Sequence, residues 1–209
     1  MRSFSPDFTT ELDELFRWRR DVRRFRTDPV PRDLLDDCLA IIGHAPSVGL
    51  SAPWRLVEVA SEPARTAALT NFETANAEAL SGYRGERAAT YAGLKLSGMR
   101  DAPVQYAIFC DDATTKGAGL GARTMPQMRA YSVVGAIMYF WLALRARGLG
   151  LGWVSILDPD RLTRDLDVPQ AWALVGYLCI GYPEEETETP ELIRAGWESE
   201  AGGPEVLIR

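Results

Sequence analysis

Residues 127–147 read QMRAYSVVGAIMYFWLALRAR and are followed by Gly-Leu-Gly at positions 148–150. The central part, residues 133–143, is apolar but far shorter than the roughly 18–20 residues that a membrane span requires. The pattern predicts a long helix that ends at Gly148. Because a helix that is apolar all round has to be buried on all sides, we expect this one to form the core of a subunit interface.

Shorter apolar runs on either side of this helix predict the strands. These runs are residues 54–60, 104–110, 151–156 and 171–181. Helical spacing of apolar residues predicts helices over residues 10–19, 31–44 and 61–80. Few strands between long helices, with no internal repeat or linker, favour one α+β domain that spans residues 1–209.

Two segments lie outside this regular pattern. Residues 81–102 are polar and weakly periodic, and we interpret them as a mixed helix and loop that forms a candidate lid. The tail, residues 182–209, is acidic and contains proline. We expect this tail to pack on a partner subunit.

Composition excludes several classes of protein. The formal net charge of -6 argues against a general nucleic-acid binder. Three widely spaced cysteines without a CxxC motif predict reduced thiols in a cytoplasmic protein. A single histidine, His44, and no clustered cysteines argue against a metal site. Asp7 and Glu11 fall where a signal peptide would be apolar, so we expect no export signal and no membrane partner.

An arginine cluster surrounds one acid at residues 17–26, which read RWRRDVRRFR. Arginine forks match the oxygens of a phosphate two at a time, so the cluster fits a phosphate site. It fits a solvated basic helix end equally well, because cations are favoured at a helix C-terminus. A carboxylate weakens anion binding, so we expect Asp21 to have another task.

Three further segments are less specific when taken alone. Residues 46–54, PSVGLSAPW, have the composition of a turn before a strand. Residues 148–155, GLGLGWVS, follow a helix and precede a strand, which is the wrong order for a Rossmann turn. We interpret these glycines as ending the helix and letting a flat ligand approach the backbone. Residues 94–96, Leu-Lys-Leu, lie near Arg100 and fit a core helix.

Together these segments resemble the nitroreductase-like flavoprotein superfamily, from about Phe16 to Gly181. Its members open with Arg-Arg-Ser-x-Arg-x-Phe, and this chain has RRDVRRF at residues 19–25. The superfamily's Ala-Pro-Ser segment and its Pro-Trp pair fall at residues 45–47 and 53–54. Its long core helix ends in Gly-x-Gly, as this one does.

Within the superfamily the chain resembles the 5,6-dimethylbenzimidazole synthases. Asp21 replaces the usual serine. The other matching motifs are GWVSI (residues 152–156), PEL (190–192), GW (196–197), LKL (94–96) and PQM (126–128). One departure lies near the C-terminus. Ala195 takes the place of the family's basic residue and Arg194 lies one position earlier, so we assign no phosphate contact to Arg194.

The resemblance implies an intertwined homodimer with a central mixed or antiparallel sheet flanked by helices. Two FMN sites would lie at the dimer interface, each built from both subunits. The implied FMN-binding residues are Arg19, Arg20, Asp21, Val22, Arg23, Ser47, Gly49, Leu94, Gly152, Trp153 and Ser155. Of these residues, Arg19, Arg20 and Arg23 would hold the phosphate. Ser47 and Gly49 would reach in from the partner subunit, Leu94 would belong to the lid, and Arg17, Arg24 and Arg26 would be surface charge.

The resemblance also implies a reaction that consumes reduced FMN as a substrate, with O2 as co-substrate. Its products would be 5,6-dimethylbenzimidazole, the lower ligand of cobalamin, and erythrose 4-phosphate. An external NAD(P)H-dependent flavin reductase would supply the reduced FMN. Asp21, kept ionised by neighbouring arginines, would be the general base, and Ser155 would hydrogen-bond a ring nitrogen.

Two other functions remain open at this point. One is an NAD(P)H-dependent FMN nitroreductase or quinone reductase, which needs an open cleft for alternating substrates. The other is a non-catalytic flavin-binding protein. A closed lid over residues 81–102 would argue against the first, and Asp21 argues against the second.

Overall fold

A computed structural model describes residues 3–94, 97–199 and 202–209. Four strands form one sheet in it: β1 (Trp54–Glu58), β2 (Val104–Asp111), β3 (Gly150–Val154) and β4 (Trp172–Gly181). Their spatial order is β1-β2-β4-β3, and every neighbouring pair is antiparallel. The four predicted strands are therefore confirmed, each to within two residues at either end.

Eight helices surround this sheet in the described ranges. They are α1 (Pro6–Trp18), α2 (Arg32–Ala40), α3 (Glu62–Ser81), α4 (Gly85–Gly93), α5 (Gly98–Asp101), α6 (Met128–Arg145), α7 (Pro159–Asp165) and α8 (Glu191–Arg194). N-terminal capping residues determine where three of these helices begin. Ser5, Ser61 and Asp158 each accept a hydrogen bond from a backbone N–H in the first helical turn. The α+β class is confirmed.

The central strand β2 divides the core into two halves by the alternation of its side chains. Tyr106, Ile108 and Cys110 belong to the cluster that includes α6. Ala107 and Phe109 belong to the cluster on the opposite face, which includes residues of α3 and α7. Successive side chains of a strand point to opposite faces, so an apolar strand with both faces covered is buried throughout.

Helix α6 begins and ends within two residues of the predicted bounds, but it is not buried on all sides in one chain. Phe140 and Leu144 are fully buried against the sheet. Tyr131, Val134 and Tyr139 are 57%, 39% and 40% exposed. A single chain therefore leaves one apolar face of its most apolar helix open to solvent.

The candidate lid and the tail have definite positions. The lid region contains α4 and α5, while Lys95 and Leu96 lie outside the described residues. The tail leaves β4 and pairs with the arginine segment through an antiparallel bridge between Phe25 and Pro183. Contact of the tail with a partner subunit stays a prediction. No described helix is both long and apolar enough to cross a bilayer.

Candidate functional site

The arginine motif lies alongside the edge strand β3. Asp21 forms a parallel bridge with Leu151, whose carbonyl accepts a 3.0 Å hydrogen bond from the Val22 N–H. A Cβ added at Gly152 would lie 2.1 Å from the Val22 carbonyl oxygen. The motif's own backbone is therefore one close neighbour that requires a glycine at position 152, and the approach of a flat ligand to Gly152 stays a prediction.

The Asp21 carboxylate is held at two points. Its Oδ1 accepts the Trp153 backbone N–H at 2.9 Å, and its Oδ2 lies 3.4 Å from Arg23 Nε. Burial raises the pKa of Asp21 above its ordinary value, although the Trp153 N–H, Arg23 and Arg19 each pull the pKa down. That the arginines keep Asp21 ionised stays a prediction, with burial acting against them. The side chain is still 40% exposed, so solvent moderates the effect.

Arg23 contributes an unsatisfied donor. Its side chain is 14% exposed, and its buried Nη1 has no hydrogen-bond partner among the described residues. A buried guanidinium nitrogen without an acceptor is costly. An anionic or carbonyl oxygen of a ligand would satisfy it.

Asp21 and Arg23 line a cleft of about 140 Å³ beside the end of β3. The cleft joins six of the predicted residues: Asp21, Val22, Arg23, Gly152, Trp153 and Ser155. It also contains Val154 and Ile156 of the GWVSI motif, and four residues that the sequence did not indicate: Phe72, Gly98, Met99 and Cys179. Most of these are apolar, and nothing in the local sequence distinguishes them from other core residues. Burial raises the pKa of the Cys179 thiol far above its ordinary value, so the thiol stays protonated.

A second, narrower cleft adjoins the first and contains Arg20. Arg20 Nε donates to the Glu188 carbonyl at 2.5 Å. Arg19 instead stacks on Trp141, with its guanidinium carbon 4.7 Å from the ring centroid, and burial lowers its pKa. The three arginines predicted to bind phosphate therefore lie in different surroundings. Arg20 and Arg23 line this second cleft, whereas Arg19 packs on Trp141.

An acidic segment, residues 184–191, lies across the arginine motif. Arg24 approaches Glu191 at 3.3 Å, Glu185 at 3.5 Å and Glu184 at 4.0 Å. Its side chain is only 28% exposed. Our interpretation of Arg24 as surface charge is therefore wrong, whereas Arg17 and Arg26 are exposed as expected.

Four predicted residues lie outside both clefts: Arg19, described above, and Ser47, Gly49 and Leu94. Ser47 Oγ accepts the Ala52 N–H at 3.0 Å in the loop before β1. Gly49 has φ of 59°, a left-handed conformation that favours glycine. Leu94 lines a groove beside the first cleft, and the two depressions share Phe72.

The described ranges contain no group of three His, Cys, Asp or Glu residues placed to hold a metal.

The Nitroreductase family model matches residues 16–182. The chain belongs to the nitroreductase family. Within the family, it is 53% identical to the 5,6-dimethylbenzimidazole synthase of Rhodospirillum rubrum, over 97% of this chain and 96% of that protein.

A 5,6-dimethylbenzimidazole synthase of Rhodobacter capsulatus is 46% identical, over 94% of this chain and 95% of that protein. Among solved structures, oxidised iodotyrosine deiodinase bound to FMN and 3-iodo-L-tyrosine superposes with a TM-score of 0.73. It is 22% identical and covers 95% of this chain and 97% of that one. This likeness supports the nitroreductase fold and says nothing of the substrate.

Proposed function

We propose that this nitroreductase-family chain is a cytoplasmic 5,6-dimethylbenzimidazole synthase, which fragments reduced FMN with O2. The products would be 5,6-dimethylbenzimidazole and erythrose 4-phosphate, with the pyrimidine ring of the flavin released as a separate fragment. The observation that carries the proposal is Asp21, a carboxylate fixed by the Trp153 N–H in a cleft lined by arginine. The curated relatives at 53% and 46% identity support the same activity.

The described residues fit a flavin phosphate. Arg23 Nη1 is buried without an acceptor, and Arg20 lines the adjoining cleft. Arg19 adds a third positive charge to the motif. A flat ring would lie along Gly152, Trp153 and Ser155 at the end of β3, where the first cleft is open.

A second copy of the chain would complete the site. The cleft of about 140 Å³ is smaller than the roughly 300–1,000 Å³ of typical small-molecule sites. The exposed apolar face of α6, which contains Tyr131, Val134 and Tyr139, is suited to a homodimer interface. Ser47 and Gly49 would then reach the flavin from the partner subunit.

Bound reduced FMN would supply both the electrons for O2 and the atoms of the benzimidazole. Asp21 Oδ2 would accept a proton from the ribityl chain near its first carbon, while Oδ1 remains on the Trp153 N–H. The exposed Ser155 hydroxyl would donate a hydrogen bond to a ring nitrogen. Leu94 and the lid would exclude water from the cleft. An NAD(P)H-dependent flavin reductase would be the supplier of reduced FMN.

The test is aerobic incubation of the protein with chemically reduced FMN, followed by mass spectrometry for dimethylbenzimidazole and erythrose 4-phosphate. We expect both products in equal amounts. Boiled protein and an anaerobic sample are the controls. Oxidised FMN and hydrogen peroxide alone, with no dimethylbenzimidazole, would overturn the proposal. Rapid bleaching of bound FMN by NAD(P)H in stopped flow would favour a nitroreductase or quinone reductase instead.

A further inference from the structure

An aromatic cluster joins the C-terminal tail to the lid region. The Trp197 ring contacts Tyr83 edge-on at 5.4 Å between centroids and Tyr91 at 6.0 Å. Tyr83 and Tyr91 stack on each other at 4.9 Å. The Arg87 guanidinium lies over the Trp197 ring at 4.3 Å, and Arg87 also donates to the Trp197 carbonyl. Trp197 therefore holds both ends of α4 and the turn before it.

The same short segment is anchored to the arginine motif at its other end. Glu191, the first residue of α8, pairs with Arg24 at 3.3 Å, and the Glu191 side chain is 18% exposed. The Trp197 N–H donates back to the Leu192 carbonyl at 2.8 Å, which closes the segment into a compact turn. Residues 190–197 thus form a clasp with one anchor on Arg24, in the lining of the second cleft, and one on α4.

Helix α4 lies where its position affects the cleft. The Tyr91 hydroxyl donates to Asn76 Oδ1 of α3 at 2.8 Å, which fixes α4 against α3. Asn76 and Leu94, the residue after α4, line the groove that shares Phe72 with the first cleft. If α4 moved away from α3, this side of the cleft would become accessible to water.

We propose that Trp197 is a positioning residue that holds α4 in place while the reduced flavin reacts. This inference rests on the proposed function. The unproductive route transfers two electrons and two protons from reduced FMN to O2 and gives oxidised FMN and H2O2. Release of α4 admits water and favours this route, so Trp197 acts on the yield of dimethylbenzimidazole per reduced FMN consumed.

The experiment compares Trp197→Ala, Trp197→Phe and Arg87→Met with the full-length wild type. Arg26→Met is the matched control, since it breaks a similar contact, with the Tyr182 ring at 5.7 Å, away from α4. The first readout is the ratio of dimethylbenzimidazole to H2O2 at saturating reduced FMN. The second is hydrogen–deuterium exchange of residues 83–93.

For Trp197→Ala we expect about tenfold faster exchange in residues 83–93, as the loss of aromatic and cation–π contacts implies. Strands β2 and β4 should exchange as in the wild type. The product ratio should shift by a similar factor toward H2O2, with Trp197→Phe and Arg87→Met intermediate and Arg26→Met unchanged. A merely structural role would lower thermal stability without moving this ratio.

Wild-type protection of residues 83–93 and a wild-type product ratio in Trp197→Ala would overturn the inference. If Trp197→Ala fails to fold, the same two readouts on Trp197→Phe and Arg87→Met decide it. If the wild type makes no dimethylbenzimidazole, the proposed function fails. In that case, hydrogen–deuterium exchange of residues 83–93 in Trp197→Ala and in the wild type still tests whether Trp197 holds α4 in place.

Discussion

Asp21 and Trp153 are 132 residues apart in the chain, yet Asp21 Oδ1 accepts the Trp153 backbone N–H at 2.9 Å. A backbone donor in the edge strand β3 fixes the carboxylate more firmly than a flexible side chain could. The remaining oxygen, Oδ2, lies 3.4 Å from Arg23 Nε. The geometry therefore suits a base held at a set distance from a positively charged ligand site.

The first prediction concerns Asp21→Asn. The amide oxygen of asparagine can still accept the Trp153 N–H, so the local fold should persist. Asparagine cannot take up a proton as a base at neutral pH. We expect reduced FMN to bind and to be oxidised, with dimethylbenzimidazole formation reduced by about 100-fold or more, as is typical when a general base is lost.

Asp28→Asn is the matched control, because Asp28 pairs with Arg26 on the surface at 2.8 Å. It should form dimethylbenzimidazole at the wild-type rate. A normal rate in Asp21→Asn would remove Asp21 from the chemistry.

The raised pKa of Asp21 predicts how stability depends on pH. Because the pKa is higher in the folded state, the folded chain binds the proton more tightly, and stability falls as pH rises from the unfolded pKa through the folded one. Asp21→Asn should therefore stabilise the flavin-free protein at neutral pH. The difference should vanish below about pH 3.9, the ordinary aspartate pKa.

Thermal unfolding of both proteins across this pH range measures the effect. Partial exposure of Asp21 keeps it small. A variant that is less stable than the wild type at neutral pH and equally stable in acid would show that the arginines outweigh burial. Product formation by the wild type should change in the opposite direction and decline in acid, where protonated Asp21 cannot act as a base.

The unsatisfied Arg23 Nη1 predicts the result of Arg23→Met. Removing a charge-assisted hydrogen bond should weaken FMN binding by about 10- to 100-fold, which corresponds to about 1.4–2.7 kcal/mol. Fluorescence titration measures the affinity, and Arg17→Met, at an exposed position of α1, is the control.

Riboflavin, which lacks the phosphate, separates two positions for Arg23. If Arg23 holds the phosphate, riboflavin affinity should be unchanged in Arg23→Met. An equal loss for FMN and riboflavin would place Arg23 at the ring or the ribityl chain, and unchanged FMN affinity would remove it from the site.

Gly152→Ala tests the contact between β3 and the arginine motif. The new methyl group would lie 2.1 Å from the Val22 carbonyl oxygen, which belongs to the backbone and cannot rotate away. We expect a loss of about 2–4 kcal/mol in the free energy of unfolding, as for a severe steric clash in a core.

Gly43→Ala is the control, since a Cβ there meets no atom within 4 Å. Chemical denaturation should show Gly43→Ala close to the wild type. Equal stability of Gly152→Ala would mean that Asp21 and Val22 are not held against β3 in solution.

Local patterns were sufficient to predict the strands and the long helix α6. Apolar runs and helix-capping residues are properties of neighbouring positions, so the four strands and the bounds of α6 followed from spacing alone. Asp21, Val22 and Arg23, which the resemblance assigned together, line one cleft in the structure, and their role in binding FMN stays a prediction.

Packing between distant segments could not be predicted in this way. Phe72 and Met99 line the cleft, but each looks like an ordinary core residue in its own helix. The balance of burial against positive charge at Asp21 depends on β3, which no nearby sequence reveals. Arg24 was misjudged for the same reason, since its acidic partners come from a segment about 160 residues away.

The exposed face of α6 leads to the last prediction. Val134 is apolar, 39% exposed and flanked by exposed Tyr131, so burial in a homodimer would explain it. Val134→Glu places a charge at that interface, where desolvation without a partner is costly. We expect a monomer in light scattering and loss of FMN binding, because in the proposed site Ser47 and Gly49 come from a second copy. Thr70→Glu, on the exposed side of α3, should remain dimeric and bind FMN. A wild type that is already monomeric and binds FMN tightly would contradict the shared site.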